Sequence, residues 1–342
     1  MALVLVLAMA SCYSPSPKDG SFTCDADHGF LCPSGLLCDR TANLCVHALS
    51  MDLGAPDLIS PYDLTPVPIA PTCDTLVQAG AFAHLTNLGA VNGAGDEHSL
   101  TVSADNSRIY FLDGAGALQT SALSGKSAAA PQAVTVSGTG PTIPDTFFGG
   151  TLASDGKYWF LGASSTGPSA GLVSLFTATL NSATDLAVTA SHSPSAMACP
   201  LTDPVFAKND SGSELYVAFP LGGCANGSMI AQGNADKNMG AFIGAVAQKN
   251  VAAPTLTPSG NTLLMSTTGT SGRLQFATRA SMNDQWHGPS PLPLSQSGSI
   301  GVPAQRDVQA LVSADCKTLF LVADRAGGHG GLDLWAADIV WP

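Results

Sequence analysis

A unit of roughly fifty residues recurs five times along this chain, and that periodicity restricts the available folds more than any single motif does. The copies read "HSLTVSADNSRIYFLDG" from His98, "GTLASDGKYWFLGA" from Gly150, "PVFAKNDSGSELYVAF" from Pro204, "PTLTPSGNTLLMST" from Pro254 and "ALVSADCKTLFLVAD" from Ala310. Each joins a short apolar strand to a second one through a polar turn. The turn anchors, Asp105, Asp155, Ser211, Ser259 and Asp315, stand at intervals of 50, 56, 48 and 56 residues. An Asp or Ser followed by a small residue supplies the side-chain-to-backbone bond and the positive φ of a tight hairpin. The strand after the turn ("RIYFL", "KYWFL", "ELYVAF", "TLLMS", "TLFLV") is apolar at most successive positions, as expected where a sheet is covered on both faces. A third strand follows in several units ("ALQTSAL", "SLFTATL", "RLQFATR", "LDLWAAD"), and a fourth would complete a blade. The predicted fold is an all-β propeller over residues 73–342. The chain stops after the third strand of its last unit, so the missing fourth is expected from "AFAHLTNL" near residue 85.

Composition fits. Charged residues make up only 11%, while 36 Gly and 23 Pro supply turns. The formal net charge of -12, without a basic cluster to neutralise phosphates, excludes nucleic acid as an expected partner.

"SADCKTLFLVADRAGGHGGLDLWAAD", with "RASMNDQWHGPSPLPL" ahead of it, is similar to the TolB-type, WD-like β-propeller repeat, which runs through Ser-x-Asp-Gly, an aromatic strand, a Gly-rich loop and Asp-Leu-Trp. The resemblance spans residues 82–342, closest in the last unit and weakest in the third. It implies a propeller that binds protein partners. TolB itself has six shorter blades, and no interval here leaves room for an undetected one, so five four-stranded blades are expected, with six as the alternative.

The N-terminus carries an apolar run, Ala2 to Ala10, too short for a membrane span of about 20 residues. Met9-Ala10-Ser11-Cys12 resembles the lipobox of bacterial lipoproteins, although no Lys or Arg precedes the run and Met9 stands where Leu is usual. The resemblance implies a signal peptide over residues 1–11, lipid attachment at Cys12 and, with Tyr13 rather than Asp following, the outer membrane of a Gram-negative envelope. An ordinary signal peptide is the alternative. Setting Cys12 aside leaves eight of the nine cysteines, an even number able to pair. Cys24, Cys32, Cys38 and Cys45 lie in a segment (residues 12–50) too poor in apolar residues for a core, so two disulfides are expected there in preference to zinc. Position within the repeat pairs Cys199 with Cys224, and Cys73, which opens the propeller, with Cys316 in its last turn. Residues 51–72, rich in proline, read as an extended spacer.

The acids placed by the repeat fall in hairpin turns, and no Gly-x-Ser-x-Gly elbow, His-Glu-x-x-His or phosphate loop occurs. Asp324 and Asp333, which flank the glycine-rich loop, lack the ladder of a calcium site. Trp159 and Trp335 read as packing residues. No catalytic residue, metal or cofactor is therefore expected, and Trp286 and His287, placed in a connection between blades, are the binding candidates. The expected function is a non-catalytic, lipid-anchored scaffold for an envelope protein or glycan. The alternative is a sugar-binding or sugar-hydrolysing propeller.

Overall fold

The structure is a computed structural model that describes residues 36–39, 44–47, 70–138, 143–153, 155–164, 173–192, 202–209, 212–220, 228–234, 243–244, 250–268, 272–294 and 306–342. Cys12, Cys24, Cys32, Cys199, Cys224 and nearly all of the proline-rich spacer lie outside the described residues. The chain divides into two units, residues 1–68 and 69–342. In the first, β1 (Leu36–Asp39) pairs antiparallel with β2 (Leu44–His47), which sets Cys38 opposite Cys45 in the ladder.

The second unit begins with α1 (Cys73–Gln78) and β3 (Phe82–Asn87). Sheet I follows with β4 (His98–Val102), β5 (Arg108–Leu112) and β6 (Leu118–Ser124), and the short β7 (Ser127–Ala128) and β8 (Gln132–Ala133) both pair with β6. Next, β9 (Thr135–Ser137) crosses to the outer edge of sheet II, which is made of β10 (Thr146–Leu152), β11 (Lys157–Ala163), β12 (Val173–Ser182) and β13 (Asp185–His192). Sheet III holds β14 (Thr202–Asn209), β15 (Gly212–Pro220), β16 (Ser228–Asn234) and β17 (Ile243–Gly244). Sheet IV holds β18 (Val251–Leu256), β19 (Thr262–Thr267), β20 (Leu274–Thr278) and β21 (His287–Pro291). Sheet V holds β22 (Arg306–Val312), β23 (Thr318–Asp324) and β24 (Asp333–Ile339), and its outer strand is β3. The first strands pack side by side in the order β4, β10, β14, β18, β22 and back to β4. This is an all-β, propeller-like arrangement with a single short helix among the described residues.

The hairpin turns behave as their residue types dictate. Asp105, Asp155 and Asp315 each accept the backbone N–H two residues on through Oδ1, at 3.1, 3.1 and 3.2 Å, and the Ser259 hydroxyl does the same at 3.1 Å. The residue after each anchor has a positive φ: Asn106 at 56°, Gly156 at 80°, Gly260 at 74° and Cys316 at 53°. Two residues before the anchor, the hydroxyls of Ser103, Thr257 and Ser313 accept the N–H groups of Arg108, Thr262 and Thr318. The turn thus pins the register before the strands meet a neighbour.

Second strands form the core because sheets cover both of their faces. Ile109, Phe111, Tyr158, Phe160, Leu263, Met265, Leu319 and Leu321 are buried, and each such side chain contributes about 1.5–3 kcal/mol. Between sheets I and II, Tyr110 meets Tyr158 with ring centroids 5.6 Å apart, and within sheet II Phe160 stacks on Phe176 at 5.4 Å. Polar side chains join the first strands of adjacent sheets. Gln309 on β22 accepts the Leu100 N–H at 2.8 Å and donates to the Leu100 carbonyl at 3.0 Å. The Leu152 N–H of β10 donates to the Thr101 hydroxyl of β4, and the Thr255 hydroxyl of β18 donates to the Ala310 carbonyl of β22.

Closure comes from the N-terminal end. β3 pairs antiparallel with β24, setting Asn87 opposite Trp335 and Phe82 opposite Ile339, as the missing fourth strand required. Cys73 at the start of α1 is disulfide-bonded to Cys316, with Cα atoms 5.8 Å apart. Asp74 accepts the hydroxyls of Thr257 and Ser259 at 2.6 and 2.7 Å, so the same helix also grips the sheet IV hairpin. Closing a loop of 243 residues stabilises by about 5 kcal/mol on the chain-entropy account. Cys73→Ser is therefore expected to lower the unfolding free energy by about 3–5 kcal/mol in urea titration. The wild-type protein should lose at least as much under reductant, and Cys73→Ser should lose less to reductant than the wild type does.

Candidate functional site

Each first strand has an irregular register near its start: between His98 and Thr101, Phe147 and Gly149, Thr202 and Val205, Ala252 and Thr255, and Asp307 and Gln309. β-Bulges of this kind interrupt pairing and re-aim side chains. At two of them the backbone enters the left-handed region, Ser99 at φ 55° and Ala253 at φ 49°. Ser99, Ala253 and Val308, one from each of sheets I, IV and V, line a pocket of about 410 Å³ where those strands begin. In the register of β14, Asp203 occupies the position of Ser99 and Ala253.

The pocket's charged groups are Asp96 and Arg306, with His98 beside them. Arg306 Nη2 donates to Asp96 Oδ2 at 3.1 Å, joining the segment ahead of β4 to the start of β22. Asp96 Oδ1 accepts the Leu332 N–H at 2.8 Å, and His98 Nδ1 lies 3.2 Å from the Asp96 carbonyl oxygen. The remaining N–H groups of Arg306 have no acceptor among the described residues. Ala252, Ala253, Val308 and Leu332 supply an apolar lining. An apolar-lined cavity with a few convergent polar groups is the usual character of a small-ligand site.

The glycine-rich loop over residues 325–332 moulds this wall. A Cβ on Gly331 would fall within van der Waals contact of Asp96 Oδ1, and one on Gly330 would stand 2.6 Å from the Ala94 carbonyl oxygen. Only glycine permits such an approach. The Glu97 N–H donates to the Leu332 carbonyl and the Leu334 N–H to the Asn92 side chain, so the loop and residues 92–97 are tied along their length. Two buried carboxyls hold the ends. Glu97, 3% exposed, accepts the Gly93 N–H at 3.0 Å through Oε1, and Asp333, fully buried, accepts the His329 N–H at 2.8 Å through Oδ2. The second oxygen of each is buried without a hydrogen-bond partner. Burial raises the pKa of both, and the neighbouring Asp333 pushes Glu97 further up against the Gly93 N–H. Next to the pocket, Asp307 and Arg325 form a buried ion pair at 2.6 Å; desolvation raises the Asp307 pKa and the guanidinium opposes it.

Of the residues expected to act, Trp286 and His287 lie in the turn between β20 and β21 and at the start of β21, within one sheet rather than between two. His287 is exposed. Trp286 is half-buried, edge-on to Tyr216 at 5.9 Å with the Arg279 guanidinium 4.5 Å over its ring. Trp159 and Trp335 are buried packing residues, and Trp335 Nε1 donates to the Ala323 carbonyl. The pocket residues Asp96, His98 and Arg306 were not singled out from sequence. Their signals were the charged clusters "GDEHS" and "QRD" at the starts of β4 and β22, on the opposite end of the repeat from its conspicuous turn acids.

No family model matches the chain, and no curated protein matches it by sequence. Solved structures do resemble the fold. An α-L-arabinofuranosidase from Podospora anserina in complex with cellotriose superposes with a TM-score of 0.51 at 13% identity, over 75% of this chain and 97% of that one. The soluble aldose sugar dehydrogenase from Escherichia coli gives 0.46 at 11% identity, over 75% and 99%. An exo-β-1,3-galactanase from Phanerochaete chrysosporium gives 0.47 at 13% identity, over 75% of this chain, which spans 64% of that protein's length. At such identities the likeness shows the propeller fold and nothing finer, and the TolB-type resemblance has no family-level support.

Two expectations are corrected by these neighbours: that the propeller is a non-catalytic binding scaffold, and that the chain is not an enzyme. One propeller of similar fold is an α-L-arabinofuranosidase, so the fold gives no ground for excluding an enzyme or for preferring a scaffold. The physical source of the error is the placement of acids. Not all of them sit in hairpin turns, since Asp96, Glu97, Asp145 and Asp307 lie at or just ahead of the first strands.

Because the raised Glu97 pKa favours the protonated form in the folded state, the stability tied to it is full at low pH and falls as pH rises above the unfolded value of 4.5. Glu97→Gln is expected to raise the melting temperature at pH 7 and to lose that advantage towards pH 4, as thermal melts across pH would record.

Proposed function

We propose that this chain is a carbohydrate-acting enzyme that binds a glycan at the ring axis and hydrolyses its glycosidic bonds, and that sheets I–V are five blades of one closed ring. The observation that carries this reading is the pocket with the Asp96–Arg306 pair, placed where the first strands of sheets I, IV and V begin. Hydrolysis of a glycosidic bond requires two carboxyl groups, one to protonate the leaving oxygen and one to activate water or attack the sugar. The next two first strands round the ring supply candidates: Asp145 immediately ahead of β10, and Asp203 at the bulge of β14. Asp96 and Arg306 then hold the sugar. The likeness to propellers of sugar-acting enzymes supports the same reading through the fold alone.

The test is release of reducing sugar by the full chain from arabinan, galactan, arabinoxylan and peptidoglycan. Asp203→Asn is expected to lower the rate by about 100-fold or more. Absence of release from every substrate by folded protein, or a wild-type rate in both Asp145→Asn and Asp203→Asn, overturns the reading.

The lipobox-like Met9-Ala10-Ser11-Cys12 supports a lipid anchor in the outer membrane, with the proline-rich spacer lifting the propeller towards envelope glycan. Cys12→Ala is expected to move the protein from the membrane to the soluble fraction on cell fractionation.

A further inference from the structure

The pocket presents a donor and an acceptor already bound to each other. Arg306 reaches Asp96 through one Nη2 contact at 3.1 Å and has no other acceptor among the described residues, while Asp96 holds one N–H on each carboxylate oxygen and has lone pairs to spare. A sugar hydroxyl both donates and accepts, so adjacent hydroxyls can bridge such a pair, one giving its proton to Asp96 and one taking an N–H from Arg306. A carboxylate only accepts. Placed against the same pair it meets a guanidinium already neutralised and a second carboxylate that repels it, in a protein of net charge -12.

We propose that the pocket selects uncharged sugar residues and rejects uronic acids, with Asp96 as the discriminating group and Arg306 as its partner in gripping neighbouring hydroxyls. This rests on the carbohydrate-acting reading and names its substrate class. Asp96 can serve this way because it cannot swing aside: the Leu332 N–H fixes one oxygen, and the bare Cα of Gly331 packs against it. The charged groups around the pair are in place elsewhere. Asp307 takes up the buried Arg325 guanidinium, so that cation is not offered to a uronate, and Glu97 and Asp333 are buried behind the loop.

The experiment is calorimetric binding by the full-length Asp203→Asn protein, in which turnover is suppressed, of neutral arabino- and galacto-oligosaccharides against galacturonate oligomers of equal length. Neutral oligomers are expected to bind at least about tenfold more tightly, the order of effect of one misplaced charge. Adding Asp96→Asn should shrink that ratio by admitting the uronate, and adding Arg306→Gln should weaken the neutral oligomers. Arg306→Gln changes a partly exposed side chain and keeps a folded comparison available if Asp96→Asn is unstable. Uronates binding as tightly as neutral oligomers, or a ratio unchanged by Asp96→Asn, overturns the proposed selectivity while leaving a sugar-acting enzyme. Failure of every oligomer to bind overturns the selectivity together with the reading beneath it.

Discussion

The pairing of β3 with β24 is the contact on which the rest of the domain depends, because it turns an open row of sheets into a ring. Without it the last sheet would expose an unpaired edge, and the first and last sheets would be joined only by side-chain contacts such as that of Gln309 with Leu100. The seam is reinforced chemically at several points: the Cys73–Cys316 disulfide, the Gln309 side chain bonded to both backbone groups of Leu100, and the ties between residues 88–97 and 332–334. The pocket belongs to this same seam. Asp96 comes from the connection that follows β3, Leu332 from the last glycine-rich loop and Arg306 from the start of the last sheet. Closing the ring and assembling the pocket's charged pair are therefore one structural event.

That coupling explains which parts of the molecule could be read in advance. A hairpin turn is decided by a handful of adjacent residues, so Asp105, Asp155, Ser259 and Asp315 and the positive-φ residues after them were visible in the sequence. The seam strand was legible for a different reason: a repeat with three strands needs a fourth, and only the segment before the first repeat remained. The Cys73–Cys316 bridge followed from the same logic. By contrast, Asp96 and Arg306 are 210 residues apart, and neither sits at a repeated position with a recognisable neighbour. The bulges that shape the pocket are equally silent, since Ser99 and Ala253 adopt positive φ without the glycine or asparagine that would advertise it. Trp286 differs from expectation in placement: it lies within one sheet rather than between two, edge-on to Tyr216 with the Arg279 guanidinium over its ring.

The glycine-rich loop carries neither the pattern of a phosphate loop nor that of a calcium loop, and its packing gives it a more specific role than a wide turn. Its glycines permit oxygen atoms of other residues to come closer than any side chain would allow: Asp96 at Gly331, the Ala94 carbonyl at Gly330 and Asp333 at Gly328. This arrangement sacrifices stability. Glu97 and Asp333 are buried acids with one bonded oxygen each, and a buried polar atom left unpaired costs about 1–3 kcal/mol. Replacing them with apolar residues would remove that cost but also release the two ends of the segment pair that hold Asp96. A rigid loop with buried carboxyls behind it is what one expects where the position of a neighbouring charge matters more than the stability of the strand that follows. On that argument the two half-bonded buried carboxyls lie behind the pocket because the pocket's acid has to stay where it is.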